Sequence, residues 1–134
     1  VLLFLTIVQI ALASEFLGNN QRTAYTSATI PTNPALLWTY KERHPPRTAW
    51  PEPFGELQFI DFDYSDQVTI GEGLAYFGCS ADHTVRALDV KSGKEQWVFY
   101  TEGPVRFAPV LFKDCLFVAS DDGHLYRPLM EVNV

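Results

Sequence analysis

The chain changes rhythm near Gln67. Upstream, apolar and polar positions follow no regular period. Downstream, short runs of apolar, aromatic and β-branched residues alternate with turn residues. Residues 67–70 are followed by Gly71-Glu72-Gly73, 74–78 by 80–83, 84–88 by 89–93, and 96–100 by 101–104. Short runs of this composition, bounded by Gly, Asp, Ser and Pro, read as strands joined by tight turns. Four in succession predict a four-stranded antiparallel meander.

The pattern then restarts. Ala108-Pro109-Val110-Leu111 matches the first strand of the meander. Leu116-Phe117-Val118-Ala119-Ser120 matches Ala75-Tyr76-Phe77-Gly78-Cys79 at a spacing of 41, and Asp122-Gly123-His124-Leu125 matches Asp82-His83-Thr84-Val85 at 40. A four-strand unit recurring at that interval predicts an all-β architecture of stacked propeller blades. Helix-pair repeats share the interval but not the period of two within each run. Upstream, Leu37-Trp38-Thr39-Tyr40 is similar to Gln96-Trp97-Val98-Phe99, so 36–40 is expected to be the outer strand of an earlier unit. The separation there is 59 residues, because 41–56, which holds Pro45, Pro46, Pro51 and Pro53, inserts a long loop. So many prolines exclude a regular helix or a central strand.

The first 13 residues, VLLFLTIVQIALA, form an uncharged apolar run ending in the small-x-small pattern Ala11-Leu12-Ala13. The run is too short to span a bilayer and gives way to polar residues, so it reads as a secretory signal peptide whose first residues are missing. A buried strand or a membrane anchor is the alternative. Ser14 and not cysteine stands directly after the cleavage point, so lipid attachment there is not expected, and no stable membrane anchor is expected either. The chain then divides into the signal (1–13), a lead-in with the outer strand and proline-rich loop (14–66), and the repeat region (67–134). Export implies a periplasmic or extracellular home.

Composition narrows the partners. Charged residues make up 19% of the chain and apolar ones 47%, which excludes disorder driven by charge. The net charge of −6, with basic residues scattered, excludes nucleic acid as a partner. In an oxidising compartment Cys79 and Cys115 could pair. Their positions, at the end of one strand and the start of another, favour two separate thiols.

Four residues stand out at fixed spacing: Ala87, Asp89, Gly93 and Trp97. Asp89 and Gly93 bracket a turn, where Asp can accept hydrogen bonds from backbone N–H groups and Gly supplies a positive φ. Trp97 is a large apolar anchor, and Ala87 leaves room for a neighbouring ring. This Ala-x-Asp-x-x-x-Gly-x-x-x-Trp pattern, with Ser92 before the glycine, closely resembles the tryptophan-docking motif of the pyrroloquinoline-quinone-like (PQQ-like) repeat family. The stretch from Gly103 through Val105 to Pro109 resembles that family's connection between blades. Ser120-Asp121-Asp122-Gly123-His124-Leu125-Tyr126 resembles its hairpin. The chain departs from the family at His83, where glycine is expected, and after Tyr126, where Arg127-Pro128-Leu129 replaces Ala-Leu-Asp. The resemblance covers about 74–126, with weaker traces over 16–40.

The resemblance implies that Ala87, Asp89, Gly93 and Trp97 are structural, the Trp of one blade docking against its neighbour. It implies one full blade and partial ones, an incomplete propeller. The function implied is that of an exported, non-catalytic propeller segment for binding or scaffolding, with a protein or small-molecule ligand as partner of the complete ring. Outer-membrane assembly lipoproteins share these repeats without a quinone. The alternative is a fragment of a PQQ-dependent alcohol or sugar dehydrogenase, with quinone and calcium over the propeller axis. The adjacent-cysteine pair common in such quinone pockets is absent from the chain. No catalytic, cofactor-binding or metal residue is assigned, and no cofactor is expected.

Other candidate chemistry has plainer readings. His83 and His124 fall in equivalent hairpins, which makes them solvated turn residues. His44 lies in the proline-rich loop without a spaced partner. The cluster Asp61-Phe62-Asp63-Tyr64-Ser65-Asp66 could hold a cation but lacks the glycine and distal glutamate of a calcium loop. It and Asp121-Asp122 read as solvated acidic turns. Arg106, near the inner end of a blade by its place in the pattern, could meet an anion; a surface arginine is the plainer reading. No nucleophile elbow, phosphate loop, zinc spacing or haem motif is present.

Overall fold

The computed structural model describes residues 21, 23, 25, 32–46 and 66–129. The apolar segment 1–13, Pro51, Pro53, Asp61 and Asp63 lie outside the described residues. Among these residues seven strands follow one another: β1 (Val68–Gly71), β2 (Leu74–Cys79), β3 (Thr84–Asp89), β4 (Glu95–Tyr100), β5 (Val110–Phe112), β6 (Cys115–Ala119) and β7 (Leu125–Tyr126). They form two antiparallel meanders, β1-β2-β3-β4 and β5-β6-β7, neither closed on itself. The fold is all-β, and each expected strand from Gln67 onward is present within a residue or two of its expected bounds.

The turns fix the register. Glu72 and Gly73, at φ 52° and 78°, make the β1–β2 hairpin, pairing Gly71 with Leu74. Two consecutive positive φ values give the turn whose twist suits a two-residue hairpin. The second sheet builds the same turn from Lys113 and Asp114, at φ 46° and 58°, and pairs Phe112 with Cys115. His83, at φ 59°, takes the left-handed conformation that Gly123, its counterpart 40 residues on, adopts at 85°. The departure from glycine at His83 thus leaves the backbone conformation of the hairpin intact.

Alternation then sorts the side chains between two faces. On one face Tyr76, Val85 and Ala87 pack against Leu111, Leu116 and Val118 of the second sheet, with Val105 of the connection between them. Glycines let the two layers approach: a Cβ on Gly78 would lie 2.1 Å from Cγ1 of Val105, and one on Gly71 2.2 Å from Cδ2 of Leu111. Polar groups tie the layers too. The Thr69 hydroxyl donates to the carbonyl of Pro109 at 2.5 Å, and the Ala108 N–H donates to Oε1 of Gln67 at 3.2 Å.

The other face of the first sheet carries Val68, Ile70, Ala75 and Phe77. Segment 36–46 covers it: Trp38 joins the cluster of Ala75, Val90, Val68 and Ile70, and the Tyr40 ring meets Phe77 edge-on at 5.5 Å. Here the expectation of an outer strand at 36–40 is corrected. Among the described residues the segment pairs with no strand; Trp38 and Tyr40 hold it through their side chains on the face of the first sheet.

Candidate functional site

The residues that the sequence singles out meet at the β3–β4 turn. The Asp89 carboxylate accepts from the backbone N–H of Ser92 at 2.7 Å and from its hydroxyl at 2.6 Å. Those two bonds, the hydroxyl's first, hold the carboxyl below its ordinary range. Gly93, at φ 70°, donates its N–H to the Asp89 carbonyl at 2.8 Å, and the Asp89 N–H returns to the Lys94 carbonyl at 2.8 Å. The Val90 N–H reaches the Gly73 carbonyl at 3.0 Å, so the β1–β2 and β3–β4 turns brace one another.

Trp38 docks on this turn. Its indole Nε1 donates to the Val90 carbonyl at 2.9 Å. Its ring presses on Gly93 so closely that a Cβ there would lie 2.5 Å from Cδ2. Glycine is therefore required at this position twice over, by backbone conformation and by space.

Trp97 lies on β4. It pairs with Ala87 across the β3–β4 ladder, just before a register shift between Ala87 and Leu88. Its ring lies 5.9 Å from that of Tyr76, and Ala87 beneath it is wholly buried. Unlike Trp38, Trp97 has a buried Nε1 with no hydrogen-bond partner.

The remaining candidates are spread apart. His44 is exposed, His83 is half-buried in its turn, and His124 pairs with Asp122 at 3.3 Å on the surface. Among the described residues no group of three His, Cys, Asp or Glu side chains could hold a metal ion. Arg106 donates through Nε to Asp121 at 2.6 Å. Cys79 and Cys115 carry no disulfide. Burial pushes the Cys79 thiol up to about 12.

One residue escaped the sequence reading. Glu42, in the proline-rich loop, carries both carboxylate oxygens into the protein beside Asp66 and the Cys79 thiol. A lone glutamate among prolines and basic residues gives no local signal of burial.

No model of a known protein family matches the chain, and no curated protein matches it.

Proposed function

We propose that the chain is part of an exported β-propeller built from PQQ-like repeats, serving binding or scaffolding and carrying no catalysis of its own. The observation behind this reading is the docking of Trp38 on the Asp89–Gly93 turn, where its indole N–H meets the Val90 carbonyl and its ring packs on Gly93. Trp38 and Trp97 hold matching places in successive units. One N–H is paired with a turn carbonyl and the other is buried without an acceptor.

The second sheet supports the same reading. Val110, Phe112 and Leu125 are 40%, 57% and 70% exposed, whereas their counterparts Thr69, Gly71 and Val85 are buried against the second sheet. A further unit stacked in the same way would cover that apolar face. The partner of the assembled ring is a protein or small-molecule ligand. Export rests on the signal-like character of residues 1–13.

The test is quinone binding by the intact protein. Titration with pyrroloquinoline quinone and calcium, followed by quinone absorbance and dye-linked oxidation of alcohols and sugars, is expected to show neither saturation nor turnover. Saturable binding with turnover would replace this reading with that of a quinoprotein dehydrogenase.

A further inference from the structure

Segment 36–46 carries a second anchor besides its aromatic rings. Glu42 points its carboxylate inward, and both oxygens are enclosed. The carboxyl of Asp66, which leads into β1, lies within hydrogen-bonding reach. The Cys79 thiol, at the end of β2, stands beside the pair, and Asp82 of the β2–β3 turn adds a further negative charge. The nearby cation is committed elsewhere: Arg86 of β3 bonds Asp82 at 2.6 Å and Glu95 of β4 at 2.6 Å, and its charge acts on the Tyr40 hydroxyl. Lys41 and Arg43, on either side of Glu42, are exposed.

Two ionised carboxylates offer each other only acceptors. One shared proton turns the same contact into a strong charge-assisted hydrogen bond. We propose that Glu42 and Asp66 form a proton-sharing latch that fastens segment 36–46 to the face of the first sheet at acid pH and loosens it when both carboxyls ionise.

The direction follows from linkage. Burial first, then the Asp66 charge, raises Glu42 to about 7 from its ordinary 4.5, and burial raises Asp66 as well. Docking therefore holds a proton that the undocked segment releases. The latch is strongest below the ordinary value, weakens as pH rises from about 4.5 to about 7, and changes no further above that. What it controls is the cover over Val68, Ile70, Ala75 and Phe77, together with the seat of Trp38.

The Trp38 indole N–H reports docking directly, because it is bonded to Val90 only when the segment is in place. Its solvent-exchange protection in the full chain can be followed by nitrogen–proton NMR from pH 4.5 to 7.5, corrected for intrinsic exchange. Protection should fall about tenfold or more across this range while β3 amides keep theirs. Glu42→Gln, whose amide can donate to Asp66, should hold protection high and flat. If Glu42→Gln loses β3 protection as well, Asp66→Asn is read in its place and should behave the same. A flat wild-type profile, or a pH response that survives the substitution, would overturn the latch.

Discussion

Trp38 and Gly93 are in direct contact across 55 positions of sequence, and the contact leaves no room for a side chain at Gly93: a Cβ would lie 2.5 Å from the indole Cδ2. Gly93→Ala must therefore bear a positive φ and displace the ring. Gly73→Ala bears the positive φ alone, since nothing lies within 4 Å of its Cβ position. Urea unfolding should show a loss of about 1 kcal/mol for Gly73→Ala and about 2–4 kcal/mol for Gly93→Ala. Equal losses would mean that Trp38 does not occupy the turn.

The two tryptophans should respond differently to loss of the indole N–H. Trp38→Phe breaks the bond to Val90 and should cost about 1 kcal/mol beyond its loss of area. Trp97→Phe removes a buried donor without a partner, so its loss of area should be offset and its net cost smaller. Trp97→Ala should cost roughly 3–5 kcal/mol, because the ring packs on Tyr76 and Ala87. A change below about 1 kcal/mol would show that Trp97 is not held between the sheets.

Acid should weaken the first sheet through Asp82. Burial acts to raise this carboxyl, but hydrogen bonds from Thr84 and Arg86 outweigh it and the net shift is downward. A group lowered on folding contributes stability above its ordinary value of 3.8 and loses it as pH falls through the folded value. Unfolding midpoints should therefore drop below about pH 4, and Asp82→Asn should flatten that decline at the expense of stability near neutrality. The sign is opposite to that of Glu42. A midpoint that does not respond to Asp82→Asn in acid would remove Asp82 from this role.

The cysteines should differ in reactivity. Cys79 is 1% exposed and its thiol is pushed up to about 12, so little thiolate exists near neutral pH. Cys115 is half-buried on the second sheet. Iodoacetamide at pH 8 should modify Cys115 first and reach Cys79 only as fast as the sheet opens, as read by peptide mass mapping. Labelling of both at one rate would contradict the burial of Cys79.

Strand rhythm, turn placement and repeat spacing were legible in the sequence because each is local. Alternation assigns faces without knowledge of what covers them, and Asp89, Ser92 and Gly93 carry their own turn geometry. The likeness between Trp38 and Trp97 was equally plain. Which carbonyl either indole meets was not, since Val90 is remote from Trp38 in sequence and nothing near Trp38 names it. Only the tertiary structure laid 36–40 on the face of the first sheet, because that placement depends on which distant residues Trp38 and Tyr40 meet. Only it buried Glu42 beside Asp66, since the burial of a charge depends on what distant residues bring around it. The sequence alone determined the strands and their turns; the packing of the two sheets and of segment 36–46 decided which polar groups lost water and which found partners.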